Sequence, residues 1–388
     1  MQGETTKKRK FSDEKQTEKN CCFMDLFKIF DKKSKKGDNS EKRGSKNNNT
    51  LEPDEKRPAS AQSSNGVDQA PCDYAKYVKV LEDFIFATEK LGIDGLSKQY
   101  RKLDQSSDSS ATFEAFKQNM YKNRYSDVLC RDSSRVKLLI DSSRQGDYIH
   151  ANYVKTPYLC NTFLCTQGPL QTTIPDFWRM VFQERASSIL MLCRTIEEGR
   201  PKCVAYWPEV GEEVKYGCLV VKNMSESQDE SNSFEIIELS VNFVADDIPQ
   251  NEQPVDKTVL LVKLIKWPNW PDRGVPDEKC HTVPRRLLDR VRHGSCVVHC
   301  SAGIGRTGCM VALEFAYRRL DMGMTLDFEK IAIELRKQRA QCIQTEIQYL
   351  YIHRVMIAFS REIGISEKAR ISAESFLKSY DDHLRSKP

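Results

Sequence analysis

The chain has 388 residues, a formal net charge of +5 and no apolar stretch of 18 or more residues, which excludes a membrane-spanning helix and suggests one large domain with extensions. Its amino terminus, MQGETTKKRKF, is charged where a secretory signal would be apolar, so a soluble, intracellular protein with reduced thiols is expected despite 14 scattered cysteines. Six histidines show no zinc-ligand spacing with cysteines and no CxxC pair occurs, so no metal is expected.

Charge divides the chain, because residues 1–60 hold 16 Lys+Arg and 11 Asp+Glu and leave 44 of each for the remainder. Residues 1–71 are polar, repetitive and poor in apolar side chains, and are expected to be a disordered basic low-complexity tail. Within it, CCFMDLFKIFDKKSKK (21–36) sets Phe23, Leu26, Phe27 and Phe30 on one helical face, with Asp25, Lys28 and Lys32 opposite. Three readings stay open: a peripheral membrane anchor with acylation of Cys21 or Cys22, a docking helix for a partner, or a transient helix in a solvated tail. The run Lys7 to Lys10 suits a nuclear import signal or is incidental.

Folded structure is expected from Asp73, where AKYVKVLEDFIFATEKLGIDGL has helical apolar spacing through Tyr77, Leu81, Phe84 and Ile85 and closes at Gly92. DYIHANYV, TFLCTQ, SSILMLC, KYGCLVVKNM, SFEIIELSVNF, TVLLVKLIKW and SCVVHC read as strands. IPDFWRMVFQER, HTVPRRLLDRVR, RTGCMVALEFAYRRL, LDFEKIAIELRKQR and EIQYLYIHRVMIAFSREI read as helices. The mixture predicts an α/β (α+β) domain over 73–365, with a large mixed sheet flanked by helices. Residues 366–388 read as a polar tail or a terminal helix.

The stretch VVHCSAGIGRTGCM (297–310) carries the chemistry. Cys300 closes an apolar strand, Arg306 opens a helix, and Gly303 and Gly305 allow the loop to turn successive N–H groups inward. With the helix N-terminus behind it, such a loop cradles a phosphate and favours a thiolate at Cys300. Arg306 can present two donors to two phosphate oxygens. Spacing alone is weak evidence, since Cys280 and Arg286 in CHTVPRR have the same separation without glycines.

The full string, from His299 through Gly308, resembles the HCxxGxxR[ST]G signature of the tyrosine-specific, non-receptor type protein tyrosine phosphatases. The likeness runs from roughly Tyr74 to Ile363. It implies a single phosphatase domain with a highly twisted mixed sheet, in which Ser301, Ala302, Gly303, Ile304 and Gly305 line the phosphate cradle and Thr307 stabilises the departing thiolate. Trp270-Pro271-Asp272 is similar to the family's mobile acid loop, so Asp272 would be general acid and then base, with Trp270 supporting it. IQTEIQY looks like the glutamine loop, in which Gln348 orients water and Gln344 assists. In KNRYSDV, Tyr125 would stack on the phosphotyrosine ring, Val128 would wall the slot and Asp127 would bind substrate backbone. EEGRPKCVAYWP supplies Glu197, which would hold Arg306, and Lys202, which would contact the acid loop or substrate. His150 stands where the family usually has Asn, and Pro268-Asn269 precede the acid loop where Thr or Ser is more common.

The resemblance thus implies hydrolysis of phosphotyrosine in proteins through a cysteinyl-phosphate intermediate, with no cofactor. Phosphotyrosine-containing proteins are the expected partners, nucleic acid is not, and a monomer is expected. Cytoplasmic location is expected, with a membrane-peripheral or nuclear pool through the basic tail. Two other classes stay open: a phosphotyrosine-binding protein without useful turnover, and an enzyme acting on serine and tyrosine phosphates alike.

Overall fold

The computed structural model describes residues 73–386, save 106–109, 158, 160, 246, 292 and 293. The expected disordered tail, its amphipathic segment and the Lys7 to Lys10 run lie outside the described residues.

Eleven strands and seven longer helices carry the architecture among those residues. In chain order the strands are β1 (Arg135–Lys137), β2 (Tyr148–Val154), β3 (Asn161–Thr166), β4 (Ser188–Met191), β5 (Ile196–Glu197), β6 (Arg200–Pro201), β7 (Glu213–Tyr216), β8 (Leu219–Gln228), β9 (Glu235–Phe243), β10 (Leu260–Lys266) and β11 (Gly294–His299). The helices are α1 (Tyr74–Gln105), α2 (Ile174–Gln183), α3 (Val283–Asp289), α4 (Arg306–Asp321), α5 (Phe328–Gln338), α6 (Glu346–Phe359) and α7 (Glu367–Ser386). Nine strands form one mixed sheet in the order β1-β2-β3-β11-β4-β10-β9-β8-β7, and β5 pairs with β6 separately.

Strands β3, β11, β4 and β10 run parallel at the centre, and the flanking pairs are antiparallel. Burial follows from that division. Central strands covered on both faces read as continuous apolar runs, so β4 is buried at every position, whereas β10 alternates buried and exposed residues along LLVKL. The register then aligns the strand ends. His299 pairs with Thr166 and Met191, and Met191 with Lys266, so four parallel strands stop at one level. Loops leaving the carboxyl ends of such strands converge in one crevice.

Helices α4 and α6 are buried along almost their whole length. Helix α1 buries Tyr77, Leu81, Phe84 and Ile85, as the spacing predicts. Gly92 breaks it as expected, with φ 61° and ψ −175°, but the chain resumes as helix to Gln105. The run KYGCLVVKNM is two strands rather than one, because the chain reverses at Gly217, with φ 63°, and pairs Tyr216 with Leu219. The stretch from 366 forms α7, which packs on α1 and α6 and buries Ala369, Ala373, Phe376, Leu377 and Tyr380. No helix among the described residues is long and apolar enough to cross a membrane.

Candidate active site

Cys300 follows the last residue of β11 and is 3% exposed, at the centre of the crevice. The Gly303 N–H donates to its Sγ at 3.3 Å. Gly303 adopts φ +70°, and a Cβ there would lie 2.0 Å from the Thr166 carbonyl oxygen, so the loop can lie against the end of β3 only with glycine at this position. Close approach also fixes Gly308, where a Cβ would lie 2.5 Å from the backbone nitrogen of Ile343. Burial pushes the thiols of Cys296, Cys309 and Cys342 up, the last to about 12, which keeps these neighbours as inert thiols.

Arg306 opens α4 and is 1% exposed. Glu197 of β5 accepts from both terminal nitrogens, at 2.6 and 3.0 Å, and the Trp270 carbonyl accepts from Nη1 at 2.8 Å. Its Nη2 also donates to Asp272 Oδ1 at 3.1 Å. Asp272 in turn accepts from Lys202 Nζ at 2.5 Å. Burial acts to raise the Asp272 carboxyl, but the Lys202 hydrogen bond and the Arg306 charge outweigh it and hold the group below the ordinary carboxylate range. The loop carrying Asp272 is pinned by Trp270, fully buried, whose indole N–H donates to the Gly274 carbonyl at 3.0 Å and whose ring meets Tyr351 edge-on at 5.2 Å. Thr345 Oγ1, capping α6, donates to the Arg273 carbonyl at 3.2 Å.

A cleft of about 450 Å³ surrounds the thiol and is lined by Tyr125, Asp127, Val128, Lys202, Asp272, Cys300, Ser301, Ala302, Gly305, Arg306, Gln344 and Gln348, together with Glu198, Arg200, Pro201 and Arg273. Tyr125 packs on the buried cluster of Val128, Ala302 and Ile304. Its hydroxyl lies 2.8 Å from Ser301 Oγ, which donates to the Lys202 carbonyl at 3.0 Å. His299 lies behind the loop with Nε2 2.8 Å from the Tyr206 hydroxyl and Nδ1 3.1 Å from the Cys300 carbonyl. Gln348 is buried, and its Oε1 has no hydrogen-bond partner among the described residues, nor has Thr307 Oγ1. Gln348 lines the cleft, where a polar atom left free suits a water or ligand.

The alternative pair with the same spacing has a different fate. Cys280 sits in a short helical turn, and Arg286 on α3 forms an ion pair with Asp229, away from the cleft lining.

Sequence reasoning missed Arg339, which reads as one more charge in RKQR. It is fully buried and donates to the Ala302 carbonyl at 3.0 Å, the Gly303 carbonyl at 3.1 Å and Asn152 Oδ1 at 2.8 Å. It therefore holds the back of the loop after Cys300, whose carbonyls must point away if its N–H groups point in. His150, the departure from the usual Asn, faces Arg339 with Nδ1 at 3.2 Å and the Val128 carbonyl with Nε2 at 2.8 Å. Burial, with the Arg339 charge, lowers its pKa to about 3, so the ring is neutral, donating from Nε2 and accepting at Nδ1. Arg124 was also overlooked. It ties the Tyr125 segment to the loop after β3 by donating to the Gly168 and Pro169 carbonyls at 2.9 and 2.6 Å. The signal for both was weak, because an arginine that serves backbone carbonyls has the same letter as one in solvent.

The family model described as Protein-tyrosine phosphatase matches residues 119–358. Receptor-type tyrosine-protein phosphatase F of Danio rerio is 34% identical over 268 residues, 67% of this chain and 13% of that protein. Receptor-type tyrosine-protein phosphatase eta of Homo sapiens is 34% identical over 274 residues, 69% of this chain and 20% of that protein. The chain thus spans well under half the length of these curated relatives. A solved structure described as the structural basis of the PTPN18 fingerprint on distinct HER2 tyrosine phosphorylation sites superposes with a TM-score of 0.63 at 27% identity, covering 71% of this chain and 98% of that one. By the family match over most of its folded part, the chain belongs to the protein-tyrosine phosphatases.

Proposed function

We propose that the protein hydrolyses phosphotyrosine in proteins by two in-line displacements at phosphorus. The Cys300 thiolate attacks, the bond from phosphorus to the tyrosine oxygen breaks, and Asp272 protonates the departing phenolate. Arg306 and the loop N–H groups take up the charge of the equatorial oxygens. In the second displacement water attacks the cysteinyl phosphate, Asp272 accepts a water proton, and Cys300 leaves as thiolate toward Thr307. Gln348, with its free Oε1, orients that water and Gln344 assists.

The observation that carries the reading is the convergence on one cleft of Cys300, an Arg306 fork held by Glu197, and Asp272. Substrate choice follows from depth: Tyr125 and Val128 shape a slot for a long aromatic phosphoester, and exposed Asp127 at its rim suits peptide N–H groups. PTPN18, one of the structural neighbours, has been solved in complex with HER2 phosphopeptides, which supports phosphotyrosyl polypeptides as substrates here. A cytoplasmic monomer without cofactor, with docking through residues 21–36, belongs to the same proposal.

The test is hydrolysis of a phosphotyrosyl peptide by the full chain beside Cys300→Ser and Asp272→Ala. Turnover by wild type, none by Cys300→Ser, and a kcat lower by about 10²- to 10⁴-fold in Asp272→Ala with peptide still bound are expected. Tight binding without turnover by wild type would make the protein a phosphotyrosine reader instead.

A further inference from the structure

Two arginines at the mouth of the cleft have no part in the chemistry described so far. Arg200 and Arg273 both line it, and both are exposed. Neither makes an ion pair or a side-chain hydrogen bond with any described residue, whereas the two cations deeper in the cleft, Lys202 and Arg306, are fully engaged. Local geometry fixes where the two arginines stand. Arg200 sits in β6 directly across from Glu197 of β5, joined by a two-residue turn in which Glu198 and Gly199 both have positive φ, 50° and 71°. Arg273 holds φ 56°, an uncommon backbone for a side chain of its size, and its carbonyl is anchored to Thr345. Glu197 and Asp272 both grip Arg306, and Lys202 grips Asp272, so hairpin and acid loop form one wall. Although the charge of Arg273 helps hold the Asp272 carboxyl down, neither arginine is in an ion pair with a described residue, and two such like charges on one wall are relieved by an anion between or above them.

From this placement we infer that Arg200 and Arg273 form a rim site for a second anionic group, carried on the same polypeptide as the phosphotyrosine. The inference rests on the proposed function and adds the class of sequence selected: an acidic side chain or a second phosphate beside the phosphotyrosine. Bulk charge does not supply such a preference, because residues 61–388 hold equal numbers of basic and acidic side chains. Glu198 on the same rim opposes it, which makes the effect a difference between near neighbours and sensitive to salt.

The experiment uses three phosphotyrosyl peptides of one length, with neutral flanks, acidic flanks, or a neighbouring phosphoserine. For the full chain, kcat/KM is measured, and for the Cys300→Ser chain, Kd, each in wild-type and Arg200→Ala/Arg273→Ala backgrounds. Rates on p-nitrophenyl phosphate, too small to reach the rim, normalise the chemistry. Wild type is expected to favour the acidic over the neutral peptide by about threefold to tenfold, with the ratio falling as salt rises and collapsing toward one in the double variant. A larger gain from phosphoserine assigns the site to phosphate, and an equal gain to any acid. Equal ratios in wild type and variant, or no preference in wild type, overturn the inference. Should no chain turn over any substrate while the Kd ratio still collapses in the variant, the rim site stands and the proposed hydrolysis falls.

Discussion

Asp272 is held by two cations, and that decides how pH acts on it. In the free site Lys202 and Arg306 keep its carboxyl low, so near neutrality it is ionised and unable to protonate a leaving group. On the proposed mechanism a bound phosphate would take over Arg306 and bring negative charge beside the carboxylate, which would raise its affinity for a proton. For wild type, kcat on a phosphotyrosyl peptide is therefore expected to fall as pH rises through the carboxyl's value in the complex. In Asp272→Asn that limb flattens and kcat drops by about 10²- to 10⁴-fold, checked by rate profiles from pH 4.5 to 8. His150 is the other residue whose protonation is set by its neighbours. Replacing it by Leu leaves the Val128 carbonyl and the Arg339 guanidinium each short of a partner in a dry site, and should destabilise the fold by about 1–3 kcal/mol in urea denaturation. In the sequence His150 is legible as a departure but not as a solution. Its partner Arg339 lies 189 residues away, and no spacing rule joins them.

At the scale of elements, the strands and helices around the site were legible because their apolar patterns are strong: β3, β4 and β11 as continuous runs, α4 and α6 as long helices buried nearly all round. That Cys300, Arg306 and Asp272 share one cleft was legible as well, since each lies in a short string flanked by recognisable elements. What the patterns could not say is that four strand ends stop at one level, because register is a property of pairs of strands. The β7–β8 reversal was missed because Gly217 sits inside an otherwise unbroken β-rich run. The helix α7 shows the reverse case, a polar sequence with a narrow apolar stripe that a tail could also carry. Its burial against α1 and α6 makes a specific demand. Phe376 is 2% exposed, so Phe376→Ala should lower stability by about 3–5 kcal/mol in chemical denaturation, whereas in a solvated tail it would change nothing measurable.

For the whole molecule, the described cysteines divide sharply by surroundings. Burial pushes Cys165, Cys296, Cys309 and Cys342 up, a hydrogen bond with Cys203 and then burial do the same for Cys193, and all five stay thiols, while Cys300 faces a backbone N–H and lies in the same cleft as the Arg306 guanidinium. Dilute peroxide is therefore expected to abolish activity with modification of one thiol, as a sulfenic acid that added thiols reverse. Inorganic phosphate should slow that loss by occupying the loop. Mass spectrometry of the oxidised chain checks it, and preferential oxidation of another cysteine while activity persists would count against Cys300 as the nucleophile.

The bond between Arg306 and Asp272 also changes what it means for this cleft to be empty. Its deepest cation already has an anion in attendance, supplied by the protein itself, so the phosphate of the proposed mechanism would exchange partners and not fill a bare positive hole. In the proposed mechanism the displaced carboxylate is the group that must next donate a proton. On the proposed mechanism binding and protonation are therefore linked: the complex is expected to take up a proton that the free protein lacks, so that the phosphate ester would arm the acid that cleaves it. A neutral ligand of the same shape would displace nothing and leave the acid unloaded.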